Sequence, residues 1–257
     1  MDGKTIMNGE ESAGVAQKQA QSFSPAPLSI KISVVPPTFQ MRVYFSSYHL
    51  WAAKHFMQLA ANIEQAHTGG PVFDIEHRAY VTNSIFSSVA FIEAGINELF
   101  QDVLDGHMSY ISSLPSAMVS SMATSLADEH RRPSALEKYQ KSLIFAGKLP
   151  FKKGGLPYQD VYLLTLIRNS LTHYVPKTLG GSAIHELEDK LKDKGKFPTN
   201  LLMEGSGNPF FPDHCLGHGC AEWGVNASKS FADQFFTEIG VIPNYQRTDF
   251  DKQRSRS

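Results

Sequence analysis

The sequence predicts a mostly α protein, a single helical bundle with a loop-rich insertion before its last helix. Three observations carry that expectation. Apolar residues recur at three- and four-residue spacing through most of residues 47–240, the period of a helix with one buried face. Helix-start residues and terminal glycines punctuate those stretches. Hydrophobic residues make up 42% of the 257, enough to fill a sizeable core.

The elements follow in order. Residues 1–27 are polar and rich in Gln, Ser, Gly and Ala, and read as a disordered lead. Residues 28–45 alternate weakly and read as a short strand or an extended arm broken by Pro36–Pro37. A first helix is expected over 47–67, with Leu50, Ala53, Met57, Ala60 and Ala61 on its apolar face. Asp74 caps a long second helix to about Leu104, and Gly69–Gly70–Pro71 separates the two. A third helical segment falls within 107–127. Ser134 opens a fourth helix, with Glu137 completing a capping box and Gly147 ending it. A fifth helix is expected over 157–175, stopped by Pro176.

Residues 176–218 form the loop-rich insertion, with a short polar helix near 183–194. The last helix spans 219–240, with Trp223, Ala227, Phe231 and Phe235 as its stripe and Gly240 as its stop. Residues 246–257 are a polar tail, so the α-helical domain is placed at 28–245.

Composition narrows the function classes. Basic and acidic residues nearly balance, 24 against 25, which argues against nucleic-acid binding through bulk positive charge and leaves a local basic cleft open. The two cysteines, Cys215 and Cys220, imply no disulfide framework. The N-terminal stretch lacks the basic start and apolar run of a signal peptide. No apolar run reaches the roughly 18 residues of a membrane span. A cytoplasmic protein with no membrane segment and no cofactor is expected.

The informative stretch is Leu166–Pro176, "LIRNSLTHYVP". A helical residue turns by about 100°, so Val161, Ile167 and Leu171 share an apolar side. Thr165, Asn169, Thr172 and His173 fall in a contiguous polar sector, with Arg168 at its edge. Asn169 and His173, four apart, are neighbours. Imidazole moves protons near neutral pH, and guanidinium holds phosphate oxygens through paired hydrogen bonds. These groups suit phosphodiester chemistry. The competing reading is a solvated helix face.

Arg168–Asn169–Ser170–Leu171–Thr172–His173 resembles the Arg-x4-His motif of HEPN-domain proteins. "AFIEAGINELF" (90–100) and "CAEWGVNASKSFADQFF" (220–236) are similar to bacterial HEPN-like helices. The resemblance covers about 45–240. It implies a metal-independent endoribonuclease, leaving 2′,3′-cyclic phosphate ends, often in toxin–antitoxin, antiphage or RNA-processing systems. It further implies a homodimer in which two motifs face one cleft, and an antitoxin or other regulatory partner. Arg168 would steady the phosphate, His173 would act in acid–base catalysis and Asn169 would position one of them. The toxin branch often carries Tyr two residues after His. Here Val175 holds that place and Tyr174 follows His173 directly. The alternative reading is a non-catalytic helical RNA-, nucleotide- or protein-binding module.

Three other features bear on the site. Glu93 and Asn97 sit one turn apart on the long second helix beside Phe86, Ala90 and Ala94, and are expected to be partly buried. The pair either orients Arg168 or His173 or ties two helices together. "HCLGHGC" (214–220) crowds four candidate zinc ligands into seven residues, too tightly for a usual tetrahedral site, so no metal is assigned. Cys220 reads instead as a small buried residue opening the last helix. Lys148, Lys152 and Lys153 precede the motif helix in a loop read mainly as solvated.

Overall fold

A computed structural model describes residues 41–127, 133–176, 178, 185–191 and 195–247. The chain divides into two units, 1–41 and 42–257, and the architecture below is that of the second. The polar lead, most of the 28–45 arm, the ends of the short polar helix and tail residues 248–257 lie outside the described residues. Those described are mostly helical and contain no strand. None of their helices is long and apolar enough to cross a membrane.

Nine helices are described: α1 Ser46–Ala66, α2 Ile75–Asp105, α3 Met108–Ile111, α4 Ser116–Ala127, α5 Ala135–Phe145, α6 Tyr158–Thr172, α7 Glu186–Leu191, α8 His218–Glu238 and α9 Asn244–Arg247. The cap signals placed several ends correctly. The Asp74 side chain accepts from the backbone N–H of His77 at 2.9 Å. Ser134 and Glu137 form the reciprocal capping box of α5. Gly147 and Gly240 take the left-handed conformation just past α5 and α8.

Other boundaries differ from expectation. Helix α2 runs one residue past Leu104 and stops at left-handed Gly106. The third segment is two helices, α3 and α4, divided before Pro115. The motif helix α6 ends at Thr172, leaving His173 as its C-cap at φ −110°, ψ 41°. Residues 244–247, partly assigned to the tail, form α9, whose Tyr245 is buried. The insertion contains α7, a 3₁₀ turn at Leu201–Met203 and a wide turn at Phe210–His214, and it buries Leu187, Leu191, Phe210 and Phe211.

Side-chain contacts fix the helix directions. Ser46, opening α1, donates from its N–H and hydroxyl to Glu98 late in α2, and Glu64 near the end of α1 meets His77 early in α2. The two helices are therefore antiparallel. Helix α8 starts at Glu64 and ends where Phe236 stacks on Tyr110, so it runs with α2. Leu164 of α6 lies against Gly224, where an added Cβ would sit 3.0 Å from its Cδ1. Tyr158 lies against Phe231. Helix α6 thus runs against α8, and α1 and α6 each pack on both α2 and α8.

The core has two lobes. One joins α2, α5 and α8 around Ile92, Ile96, Leu99, Tyr139, Phe231 and Phe235, with Tyr139 edge-on to both phenylalanines at 4.8 and 4.6 Å. The Tyr139 hydroxyl donates to the carbonyl of Ile92 at 3.0 Å, so this ring is buried with its polar atom satisfied. The other lobe gathers Ala60, Val81, Ile85, Leu164, Ile167, Phe211 and Cys220.

Polar groups fasten the far end. Asp233 accepts from Lys229, from the Tyr245 hydroxyl at 2.9 Å and from Gln246 at 2.9 Å, which docks α9 on α8. Burial pushes its carboxyl up. The hydrogen bonds from Lys229, Gln246 and Tyr245 more than offset this and hold it below the ordinary range.

Two predictions follow from this packing. A Cβ on Gly217 would sit 2.5 Å from Cα of Asn200, and one on Gly219 would sit 2.7 Å from the carbonyl oxygen of Pro198. Gly217→Ala and Gly219→Ala should each lower stability in urea by about 1–3 kcal/mol. Gly154→Ala, with open space around it, should not. For Asp233, a folded value below the unfolded one of about 3.9 gives stabilisation that is present above about pH 4 and lost as pH falls. Melting curves between about pH 5 and 3 should therefore fall less steeply in Asp233→Asn than in the parent chain.

Candidate functional site

The motif lies at the exposed end of α6. Val161, Leu164 and Ile167 are fully buried against α2 and α8. That anchors the helix and turns its polar sector outward. Tyr162, Asn169 and His173, at spacings of seven and four, lie on the exposed side. Thr165 and Thr172 donate back to the carbonyls of Val161 and Arg168 at 2.9 Å each, so their hydroxyls serve the helix itself.

Arg168 leaves this helix toward α2 and pairs through Nη2 with the Glu93 carboxylate. The side chains are 24% and 44% exposed, so the pair is partly desolvated and open on one side. A guanidinium carries five N–H donors in a rigid fork, and a carboxylate on one of them fixes the plane of the rest. The contact joins α2 to α6, so it holds the guanidinium and ties the two helices together at once.

Asn97 does not join them. It is exposed rather than partly buried, and its Oδ1 accepts from Lys138 of α5 at 2.7 Å. One turn of α2 is enough to aim the two side chains at different helices. Asn169 contributes through its backbone, its carbonyl accepting from the His173 N–H at 2.8 Å. The His173 imidazole is exposed and makes no hydrogen bond or ring contact among the described residues.

The "HCLGHGC" turn has a packing role. Cys215 and Cys220 are wholly buried free thiols. Contact with Cys215 together with burial pushes the Cys220 thiol well up, which suits a structural cysteine. His214 shares a hydrogen bond with Ser206 at 3.2 Å. Gly217 and Gly219 admit the 198–200 backbone. Among the described residues no group of three His, Cys, Asp or Glu is placed to hold a metal ion. The lysine loop sits at the start of α6, a helix of 15 residues. Its length of about 22 Å separates Lys148, Lys152 and Lys153 from His173.

One surface was not singled out from sequence. Residues 45–56, "FSSYHLWAAKHF", place Tyr48, His49, Trp51, His55 and Phe56 in the first turns of α1, with Phe45 as its N-cap. Phe45 and Tyr48 are exposed, Trp51 stacks on His55 at 4.9 Å and 17°, and Phe56 stacks on Tyr80 of α2 at 6.1 Å. The density of rings is the signal. It is easily taken for core when only the apolar period is followed.

Compared with known proteins, the chain matches no family model, no curated protein and no solved structure. Its assignment therefore rests on the residues themselves.

Because the Arg168–Glu93 pair is half-exposed, it contributes little to stability. Glu93→Gln should change the melting midpoint by an amount equivalent to about 1 kcal/mol or less in a denaturant titration.

Proposed function

We propose that this chain is a metal-independent endoribonuclease of the HEPN type, acting as a cytoplasmic homodimer in a toxin–antitoxin or defence setting. One observation carries the reading. A partly buried arginine, held in place by a carboxylate on another helix, lies in the same turn and a half as an exposed histidine with no competing partner among the described residues. The packed helix α6 holds Arg168 rigidly, and His173 follows as its C-cap.

In this reading His173 takes the proton of the RNA 2′-hydroxyl. The 2′-oxygen attacks the phosphorus, and Arg168 stabilises the charge that builds on the phosphate oxygens. The bond from phosphorus to the 5′-oxygen breaks. His173 of a second copy gives that oxygen its proton. The products are a 2′,3′-cyclic phosphate and a 5′-hydroxyl. One copy has one histidine in its motif, and a two-fold axis beside α6 supplies the other. Tyr162, Tyr174 and Val175, all exposed around the motif, give that face apolar surface to bury.

A second reading, a non-catalytic helical module that binds RNA or protein, draws on the same ion pair. Glu93 offsets the charge that a phosphate would meet at Arg168.

The experiment is RNA cleavage by the full chain beside Arg168→Ala, His173→Ala and Arg168→Lys. His173→Ala and Arg168→Ala should each lose about 100-fold or more in rate while keeping parental melting curves. Arg168→Lys should also be impaired, because a point charge does not reproduce a fork. Cleavage should survive chelator and spare DNA, which lacks the attacking hydroxyl. Light scattering should report a dimer at micromolar concentration. Wild-type rates in both folded alanine variants would sink the catalytic reading and leave the binding module.

A further inference from the structure

A second candidate site lies between α1 and α8, with no residue of α6 in its walls. It is a hollow of about 340 Å³, at the small end of ligand-binding pockets. One wall is the parallel Trp51–His55 stack on α1. Facing it on α8 are Glu222 and Asn226, one turn apart. The Trp51 indole, the Glu222 carboxylate and the Asn226 carboxamide have no hydrogen-bond partner among the described residues. Gln58 uses its amide nitrogen on Asn62 at 3.0 Å, and Lys54 also lines the hollow.

We propose that this hollow is a nucleobase-binding site with a preference for guanine, separate from the cleavage motif. Stacked rings offer a flat apolar surface that a further planar heterocycle extends. An unengaged carboxylate at the edge of such a surface selects for a pair of neighbouring N–H donors. Guanine has that pair in N1–H and its exocyclic amine, and its O6 accepts from the carboxamide of Asn226. Uracil has one N–H flanked by two carbonyls, which a carboxylate repels. Adenine sets its single amine beside the N1 lone pair. The base can arrive as a free nucleotide or within an RNA strand.

The chain has two tryptophans, so Trp223→Phe leaves Trp51 as the sole indole reporter. In that background, carrying His173→Ala so that no cleavage intervenes, Trp51 emission is titrated with GMP, with UMP, and with single-stranded RNAs of about six nucleotides holding one guanine or none. GMP should quench saturably, with UMP at least about tenfold weaker. Glu222→Gln, an exposed substitution, should weaken GMP about tenfold and erase the preference. Calorimetry on Trp51→Leu, checked for helical content by circular dichroism, should show no binding. A guanine-containing RNA that binds about tenfold tighter than GMP identifies the strand as the source, and equal or weaker binding identifies the free nucleotide. The proposal is overturned if millimolar GMP and RNA leave Trp51 unchanged, or if GMP and UMP bind alike and ignore Glu222→Gln. Both readouts are binding measurements, so they fail or succeed independently of the ribonuclease reading.

Discussion

The fold turns on one buried carboxylate. Glu64 lies two residues from the end of α1, the negative pole of its own helix and a poor place for an anion. Its favourable partners come from elsewhere. Oε1 accepts from the backbone N–H of His218 at 2.6 Å, in the unsatisfied first turn of α8, and from the His77 imidazole at 2.8 Å, in the first turn of α2. One group thus ties the end of α1 to the starts of two other helices, with Glu64 and His77 nearly excluded from water. A buried charge so placed is costly to strip of a partner, because what remains is unpaired.

One of the two supports of the motif helix, α8, stands on that junction. Helix α8 is fixed at its start by Glu64 and by the near-zero clearance of Gly217 and Gly219 against the 198–200 segment. Helix α6 then packs on α8 through Gly224, so the direction in which Arg168 projects follows from where α8 begins. The other end of the bundle has its own polar fastening. Asp102, wholly buried in α2, accepts from Arg42 at 2.6 Å and from the Tyr44 hydroxyl at 3.0 Å. Tyr110 donates to Glu98 at 3.0 Å and accepts from the Asn244 N–H at 3.2 Å. The apolar lobes lie between two such ends, where Glu64, His77 and Asp102 are buried close to helix termini.

This division decides what was legible in the sequence. Period and caps are local, and they placed most helices, from Asp74 and the Ser134–Glu137 box to Gly240. The split of α3 from α4 at Pro115 and the early end of α6 are local too, but they depend on where the chain turns next. Long-range pairs left no local trace. Nothing in the spacing of Glu64, His77 and His218 marks them as partners, and Arg168 meets Glu93 across 75 residues. Asn97 shows the limit from the other side. Its spacing from Glu93 was right for a shared face, yet Lys138 claims it. The rings of α1 were visible as composition but not as surface, because a period of 3.6 does not say which face is covered when aromatics occupy several.

The Arg168–Glu93 pair sets the terms on which a phosphate could use this site. The carboxylate orders a long side chain whose rotamer freedom would otherwise be lost on binding, a cost of roughly 2 kcal/mol for arginine. The same carboxylate offsets the charge. At a half-exposed position the Coulombic loss is screened by water, whereas the geometric gain is not. Orientation therefore outweighs neutralisation here, and the balance would reverse if the pair were fully buried. A nearly neutral chain adds no background attraction for a polyanion. Any phosphate affinity on the proposed reading would rest on preorganised local contacts such as Arg168.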